Sequence, residues 1–396
     1  MKYAIIIPDG AGDLPQESLG GRTPFEVADC PAFDRVATEG RFGTSSNIPQ
    51  GMPPGSDVAI LSVLGYDPAA TYTGRAPLEA LAQDIELAED DVAFRCNLVT
   101  VVDGRMIDNS AGGISTEEGA ALLKDLADVL AGGPWELHAG VAYRHLLIHR
   151  GAVEGEIVTT PPHDILDQPV EKHLPQGACA DDLRRMMDTS REILAHHEIN
   201  RVRQDLGELP ASQIWLWGQG TRPRLTRFDE LHGVRGAAIT AVDLVRGLAR
   251  AIGWEIINVP GATGYLNTNF KGKGESAISA LDSYDIVLVH VEATDESGHE
   301  GNAANKIKAI QEIDGHIVGP VLRHMETTYD RWRMMVLPDH LTPVNVRTHT
   351  RDPVPVGIVG TGMDPVHPGP YTERHAATSG FRVGVGHELM EYFLRP

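Results

Sequence analysis

The chain has 396 residues, of which 42% are hydrophobic and 22% are charged, and its 55 acidic and 34 basic residues give a formal net charge of −21. These proportions are typical of a globular protein large enough for two domains. The negative charge argues against a nucleic-acid partner. A membrane-spanning role is also excluded, because no apolar stretch approaches the length that crosses a bilayer. A small anionic substrate is compatible with the charge if metal ions and a few arginines reverse it locally.

The cysteines and the first residues favour a cytoplasmic protein. Cys30, Cys96 and Cys179 are far apart in the sequence, and no CxxC spacing occurs. Neither a disulfide framework nor a thiolate zinc site is therefore expected. The opening segment MKYAIIIPDG contains an apolar run that is too short for the core of a signal peptide.

The first part of the chain predicts one buried strand followed by helices. The strand covers Tyr3–Pro8 and ends at Asp9, and a helix is predicted over Phe25–Glu39 from the spacing of its apolar residues. The loop PQGMPPG then leads into a short apolar helix over Ser56–Leu64.

The pattern of predicted elements changes between residues 87 and 233. Strand-like runs alternate there with helical patterns and with loops rich in proline and histidine. The predicted strands are Ala93–Val102 and Tyr143–His149, and the predicted helices are Thr116–Leu130 and Asp181–Glu198. We interpret 87–233 as a smaller α/β domain inserted into a core domain made of 1–86 and 234–396.

After residue 233 the alternation of buried strands and helices returns. The predicted helices are Ala241–Ile252, Ser276–Ser283 and Asn302–Met325. The predicted strands are Glu255–Val259, Asp285–Val291, Arg333–Leu337 and Val354–Val359. This alternation predicts an α/β fold with a mostly parallel sheet and helices on both of its faces.

Carboxylates and histidines follow three of the predicted strands. Because ligands bind beyond the carboxyl ends of strands in open α/β sheets, we expect these side chains to meet at one edge. Carboxylates combined with imidazoles suit Mn²⁺ or Zn²⁺, and a set of this size suits two ions bridged by a substrate oxygen. The residues are Asp9, Asp295, His299, Asp339, His340 and His349.

Each of these residues taken alone has another explanation. Asp9 could belong to an Asx turn, Asp295 could cap the following helix, and His340 or His349 could be a hydrogen-bonded surface histidine. Three strands that all end in such residues are harder to explain by turns, and the set therefore favours the metal hypothesis.

Ser56 begins a predicted helix and follows Pro-Pro-Gly. One interpretation is a helix N-cap. The other is a nucleophile for phosphoryl transfer, since a helix N-terminus stabilises an oxyanion or a phosphate ester and a nearby divalent ion lowers the pKa of the hydroxyl. The two roles are compatible.

Phosphate binding also requires fixed cations. Each candidate could equally be an ordinary surface charge. The candidates are Arg75, Arg95, Arg144, His163, and Lys271 or Lys273.

Eight motifs occur in a familiar order: PDG, LGGRTPFEVAD, PPGSDVAILSVLGYDP, YTGRAPLEAL, PGATGYLNTN, EATDESGHEG, PDH and RTHTRDPVPV. Over nearly its whole length the chain thereby resembles the archaeal-type cofactor-independent phosphoglycerate mutases of the alkaline phosphatase superfamily. The resemblance implies that Ser56 becomes phosphorylated. It implies one divalent ion held by Asp9, Ser56, Asp339 and His340, and a second held by Asp295, His299 and His349.

The same resemblance implies interconversion of 3- and 2-phosphoglycerate without 2,3-bisphosphoglycerate. Mn²⁺ is the first expectation for the metal, with Zn²⁺, Co²⁺ or Mg²⁺ as alternatives. The inserted domain is expected to hold the substrate carboxylate and to close over the site so that water is excluded. The expected substrate contacts, not all of them in that domain, are Arg75, Arg95, Arg144, His163 and Lys273. A homo-oligomer is compatible with the pattern.

Some phrases resemble a different branch of the family. AFRCNLVT, TTPPHDI, IWLWGQG and VLPDH are closer to bacterial members that have been proposed to act as homoserine kinases, with ATP as the donor. No Walker-type nucleotide loop occurs. Three hypotheses follow: a phosphoglycerate mutase, a homoserine kinase, and a phosphomonoesterase or phosphodiesterase of the same superfamily.

Overall fold

A computed structural model describes residues 1–395, and the chain forms two compact units. Unit 1 comprises Met1–Tyr72 and Arg224–Pro396, and unit 2 comprises Thr73–Pro223. Unit 2 therefore begins and ends earlier than the predicted segment 87–233. The earlier start arises because the helix over Ala76–Ala82 packs on the sheet of unit 2. Within residues 1–395, no helix is both long and apolar enough to cross a bilayer.

The helices and strands lie at the following positions. The first part of unit 1 contains β1 Lys2–Pro8, α1 Pro24–Val27, α2 Pro31–Glu39, β2 Arg41–Ser45, α3 Ser56–Val63 and α4 Pro68–Thr71. Unit 2 contains α5 Ala76–Ala82, β3 Val92–Val102, β4 Arg105–Asp108, α6 Thr116–Leu130, β5 Trp135–His138, β6 Arg144–His149, β7 Ile157–Val158, β8 Gln176–Gly177, α7 Ala180–Leu194, α8 Glu198–Asp205 and β9 Gln213–Thr221. The second part of unit 1 contains α9 Phe228–His232, β10 Gly236–Ile239, α10 Asp243–Ala251, β11 Glu255–Ile256, α11 Phe270–Ser283, β12 Ile286–Val291, α12 Ala293–His299, α13 Ala303–Ile313, α14 Gly319–Thr328, β13 Trp332–Val336, β14 Val354–Gly360, α15 Glu373–Thr378, β15 Phe381–Val383 and α16 Leu389–Leu394.

Unit 1 is built on an eight-stranded sheet with the order β11-β10-β12-β1-β13-β14-β2-β15. Every neighbouring pair is parallel except the two that involve β14, which runs antiparallel to β13 and β2. The central strands are almost wholly apolar, as expected for strands covered on both faces. The predicted mostly parallel sheet is confirmed.

Helices cover this sheet on both faces. Ala4 and Ile6 of β1 share a core with α2, α11, α13 and α14. Tyr3 points to the opposite face because side chains alternate along a strand, and its ring packs edge-on against Phe393 of α16 with 5.3 Å between centroids.

Three predicted helices of unit 1 differ from the structure, and one of them, predicted over Ser276–Ser283, begins earlier as α11 Phe270–Ser283. The single helix predicted over Phe25–Glu39 is wrong, because α1 ends at Val27 and a new helix starts at Pro31, whose ring fits a first helical turn but not a helix interior. The predicted helix Asn302–Met325 runs through a π-helical turn, Asp314–Val318, which separates α13 from α14.

Unit 2 has an antiparallel sheet in the order β4-β3-β6-β5, with β9 also paired to β3. Helices α6 and α7 share a core with one face of this sheet. Helix α5 covers the other face, where Ala76 and Ala80 lie against Ala93 and Leu146. Unit 2 is therefore a compact α/β unit with a core of its own.

Candidate metal centre

The candidate site of unit 1 forms where three central strands end. Pro8 of β1 pairs with Val291 of β12, and Ile6 of β1 pairs with Val336 of β13, all in parallel register. The residues that follow these strands therefore leave the sheet at one edge. Their side chains form clusters of potential metal ligands, and within each cluster the donor atoms lie within 4.8 Å of one another.

The first cluster, here called the Asp9 group, consists of Asp9, Asp339 and His340. His340 Nε2 lies 3.6 Å from Asp9 Oδ1 and 3.3 Å from Asp339 Oδ2. The side chains of all three residues are fully buried. Two carboxylates and an imidazole are a donor set that suits Mn²⁺ or Zn²⁺.

Within the described residues, the hydrogen bonds of the Asp9 group use only one oxygen of each carboxylate. Asp9 Oδ2 faces the imidazole of His290, and Asp339 Oδ1 accepts from the backbone N–H groups of Gly10 and His340. Asp9 Oδ1 and Asp339 Oδ2 are buried and have no hydrogen-bond partner among the described residues. Buried carboxylate oxygens of this kind require a cation or a proton. The residues therefore fit a divalent ion.

The electrostatics of the Asp9 group also favour a bound cation. Burial, together with the negative charges of Asp339 and Asp295, raises the pKa of Asp9 well above its usual range. Burial lowers the pKa of His340, so its imidazole is neutral at pH 7 and able to act as a ligand. A bound cation would reverse the electrostatic cost of the ionised carboxylates.

The second cluster, the Asp295 group, consists of Asp295, His299 and His349. The Nε2 atoms of the two histidines lie 2.9 Å apart, and they lie 3.1 Å and 3.6 Å from the oxygens of Asp295. Asp295 and His299 are one turn apart on α12 and so share a face. Two ring nitrogens that converge with a carboxylate on one point form the set of three protein ligands found in many catalytic metal sites.

Ser56 lies beside the Asp9 group. Its Oγ is 3.2 Å from His340 Nε2 and 3.4 Å from Asp9 Oδ2. The imidazole of His340 also stacks at a tilt against that of His349, with 4.1 Å between ring centroids, and so links the Asp9 group to the Asp295 group. Ser56 is the first residue of α3, and the N-cap position belongs to Gly55, so the structure does not place Ser56 at the N-cap.

Two buried residues brace the loops that carry the clusters. Thr342 Oγ1 donates to Asp295 Oδ1 and lies 3.2 Å from His340 Nδ1. Lys306 Nζ donates to the carbonyls of Gly12 and Thr342 and to Asp13 Oδ2. These bonds tie the loop after β1 to the loop after β13, and sequence reasoning did not identify either residue.

Sequence reasoning also missed His290 and Glu292, which form a third cluster with Asp9. His290 is fully buried, and its Nε2 lies 2.7 Å from Asp9 Oδ2 and 3.7 Å from Glu292 Oε2. The signal was present, because His290 is the polar residue in the otherwise apolar strand IVLVHV. Burial and the charge of Asp9 raise the pKa of Glu292 well above its usual range.

Lys273 does not fit the predicted contact with substrate. It is 1% exposed on α11, and its Nζ donates to the backbone carbonyl of His290 at 2.9 Å. Burial lowers its pKa to about 8. Lys273 therefore stabilises the backbone of strand β12, and its buried ammonium group cannot reach a ligand in solution.

The other predicted substrate-binding residues are gathered in unit 2. Arg95 of β3 is buried, its Cζ lies 4.3 Å above the ring of Trp217, and its Nε donates to Glu79 at 3.0 Å. Burial lowers the pKa of Arg95, and the charges of nearby Arg75 and Arg144 act in the same direction. His163 packs edge-on against the Trp217 ring with 5.2 Å between centroids. Three guanidinium groups with one buried carboxylate form a cationic patch suited to carboxylate or phosphate.

Proteins of known family resemble this chain over its whole length. The profile of the PhosphMutase family, described as 2,3-bisphosphoglycerate-independent phosphoglycerate mutase, matches residues 37–200. A protein of that name from Methanothrix thermoacetophila is 46% identical over 394 residues, covering 100% of both chains. A probable enzyme of the same name from Geobacter sulfurreducens is 45% identical over 399 residues, again covering 100% of both chains.

Solved structures resemble the fold as well. A Pyrococcus horikoshii protein superposes with a TM-score of 0.82 at 32% identity, covering 99% of this chain and 96% of the other. The cofactor-independent phosphoglycerate mutase of Thermoplasma acidophilum gives a TM-score of 0.65 at 28% identity, covering 100% and 99%. Since the full-length relatives from Methanothrix and Geobacter are at least 45% identical to it, the chain belongs to the family of 2,3-bisphosphoglycerate-independent phosphoglycerate mutases.

Proposed function

We propose that this protein is a phosphoglycerate mutase that interconverts 3- and 2-phosphoglycerate through a phosphoserine at Ser56 and needs no 2,3-bisphosphoglycerate. The position of Ser56 carries the proposal, since its Oγ lies 3.2 Å from His340 Nε2 and 3.4 Å from Asp9 Oδ2 at the start of α3. The choice of substrate rests on full-length relatives that bear this name.

The proposed cofactors are two divalent ions. Ser56 and the Asp9 group would hold one, and the Asp295 group would hold the other. Mn²⁺ is our first choice because both sets mix carboxylate with imidazole, and Zn²⁺, Co²⁺ or Mg²⁺ are outcomes that metal analysis of the purified protein distinguishes. When bound, the ions would neutralise phosphoryl oxygens and lower the pKa of the Ser56 hydroxyl.

The residues of unit 1 then account for the transfer itself. Ser56 Oγ forms a bond to phosphorus while the bond between phosphorus and the substrate oxygen breaks. The Ser56 proton, which faces Asp9 Oδ2, ends on the departing oxygen and leaves glycerate as an alcohol. The backbone N–H groups of Ser56 and Asp57 at the start of α3 would stabilise the phosphoserine. Glycerate then reorients in the site. The reverse transfer places the phosphoryl group on its other hydroxyl.

Unit 2 is the proposed source of substrate contacts. Arg75, Arg95, Arg144 and His163 would bind the carboxylate and the phosphoryl oxygens of phosphoglycerate. The buried Glu79 offsets part of their charge, since it accepts a hydrogen bond from Arg95 and lies 3.7 Å from Arg75 Nε. A cytoplasmic location and a homo-oligomer remain predictions, as does closure of this unit during turnover.

One assay tests the proposed activity. Purified protein with Mn²⁺ and 3-phosphoglycerate, coupled to enolase and without 2,3-bisphosphoglycerate, should produce phosphoenolpyruvate. The activity should disappear with a chelator and return with added Mn²⁺. No turnover at saturating substrate would contradict the proposal.

The same preparation distinguishes the other hypotheses. ATP-dependent formation of O-phosphohomoserine, detected by mass spectrometry in the absence of mutase activity, would indicate a homoserine kinase. Phosphate release from nitrophenyl esters that exceeds any transfer would indicate a phosphomonoesterase or phosphodiesterase. None of the relatives described above bears either name, and we expect both assays to stay at background.

A further inference from the structure

His290 occupies an unusual position for a polar side chain. It lies in β12 among apolar residues and is fully buried. A buried imidazole requires a partner for each ring nitrogen. Both partners are present: Nδ1 lies 3.2 Å from Thr240 Oγ1, and Nε2 lies 2.7 Å from Asp9 Oδ2.

The direction of these hydrogen bonds follows from the chemistry of the groups at each end. An ionised Asp9 can only accept, so Nε2 must carry the proton and Nδ1 must be the acceptor. Thr240 can satisfy Nδ1, because its Oγ1 already accepts from Val242 N at 3.1 Å and its hydroxyl hydrogen is available to donate. The chain of donors therefore runs from Val242 through Thr240 to one side of His290, and from the other side to Asp9.

This chain decides which oxygen of Asp9 can bind a cation. Asp9 Oδ2 is occupied by His290, whereas Asp9 Oδ1 is buried, has no hydrogen-bond partner among residues 1–395 and lies 3.6 Å from His340 Nε2. His290 Nε2 cannot act as a ligand while it carries a proton. The backbone of His290 is also fixed, because its carbonyl accepts from Lys273 Nζ.

We propose that Thr240 and His290 are positioning residues that fix the Nε2–H tautomer of the imidazole and thereby present Asp9 Oδ1 to the metal ion. His290 is then a support of the Asp9 group, and the cluster of Asp9, His290 and Glu292 is not a third metal site. The inference rests on the proposed metal site. Hydrogen-bonded supports of a ligand typically change metal affinity by about 10- to 100-fold.

The test measures metal affinity at the Asp9 group alone. His349→Ala disables the Asp295 group, and calorimetric titration with Mn²⁺ then reports the remaining site. In this background Thr240→Val, which keeps the shape but loses the hydroxyl, should weaken Mn²⁺ binding about 10-fold or more. Thr240→Ser should restore the affinity of the parent. Thr100→Val in unit 2 is the matched control, because it also removes a buried hydroxyl, one that donates to Pro210 O.

A second readout requires neither an affinity measurement nor a variant. Nitrogen-15 NMR of the imidazole in the wild-type protein loaded with diamagnetic Zn²⁺, where the cation keeps Asp9 ionised, should show His290 with its proton on Nε2. A proton on Nδ1 would overturn the inference even if the Thr240 variant failed to fold, and so would unchanged Mn²⁺ affinity in Thr240→Val. If the His349→Ala parent bound no Mn²⁺ while the wild type bound two ions, the assignment of the Asp9 group would fail, which is a separate outcome.

Discussion

At the scale of single residues, the site depends on side chains whose individual roles are ordinary until they are combined. Ser56 begins a helix, Asp9 follows a strand and His299 lies on a helical turn. Their donor atoms meet because separate strands end at the same edge of the sheet. Each prediction at this scale therefore concerns a single side chain.

The hydroxyl of Ser56 is expected to carry the phosphoryl group. Ser56→Ala should abolish phosphoglycerate mutase activity and the acid-stable phosphate on the protein, while metal content stays near two ions per chain because six other ligands remain. The phosphoenolpyruvate assay and metal analysis measure the two effects. Normal turnover in this variant would refute the nucleophile.

His299 links metal binding to pH. Burial would lower its pKa, but the hydrogen bond and charge of Asp295 raise the pKa of His299 to about 9 in the metal-free protein. Because a cation needs the neutral imidazole, Mn²⁺ affinity at the Asp295 group should rise with pH and level off above about 9. Mn²⁺ titrations between pH 6.5 and 9.5 measure this, and an affinity independent of pH would contradict it.

The same raised pKa has the opposite effect on the metal-free fold. Protonated His299 stabilises the folded state fully below the unfolded-state pKa of about 6.5, and this stabilisation is lost as pH rises through about 9. Denaturant unfolding of the chelator-treated protein should therefore show His299→Gln losing less stability than the wild type across this range.

Arg144 tests the role of unit 2 in substrate binding. It is exposed at the start of β6, and its charge acts on Arg95. Arg144→Ala should raise KM for 3-phosphoglycerate about tenfold or more, the cost of one charged hydrogen bond, with metal content unchanged. Arg185→Ala is the control, because Arg185 is exposed on α7 and pairs with Asp182 on the same helix. Equal KM values for the two variants would exclude Arg144 from the site.

At the scale of elements, helices position the strands that carry the ligands. Helix α11 lies against the π-helical turn Asp314–Val318, and it also carries Lys273, which bonds the backbone of His290. The π turn inserts one extra residue into a long helix, a feature that apolar spacing alone did not reveal. Close packing here requires a glycine.

Gly274 is that glycine. A Cβ at this position would lie 2.1 Å from the carbonyl oxygen of His316, so the backbone must shift. Gly274→Ala should lower the free energy of unfolding by about 1–3 kcal/mol and weaken Mn²⁺ binding through Lys273. Gly315→Ala on the facing turn, where a Cβ would meet no atom of residues 1–395 within 4 Å, is the matched control. Urea unfolding measures both, and equal stabilities would contradict the packing argument.

At the scale of the whole molecule, the two compact units should respond differently to metal. Every residue of the two clusters belongs to unit 1. Mn²⁺ at 100 times its dissociation constant should stabilise that unit by about 2.7 kcal/mol per site. Hydrogen exchange should slow at the ends of β1, β12 and β13 and stay unchanged in β3 and β9. Protection confined to unit 2 would contradict the assignment, and chelator-treated protein provides the baseline.

Much of the architecture could be predicted from the sequence. The apolar runs of β1, β12 and β13 and the alternating helices indicated a parallel sheet, and strand ends marked by Asp9, Asp295 and Asp339 indicated where a site would form. The details that were missed depend on packing. Pro31 divides a helix, and α5 joins unit 2 because Ala76 and Ala80 are buried there.

The sequence by itself determined which segments are buried and which residue types could bind metal. The spacing of apolar residues and the chemistry of each side chain are local properties that can be seen along the chain. Only the tertiary structure decided which atoms meet. It placed Lys273 beneath β12, brought Thr240 and His290 behind Asp9, and left Asp9 Oδ1 without a hydrogen-bond partner in the described part of the chain. These contacts join residues that are distant along the chain, and strand order and register, which no local pattern encodes, set the distances between them.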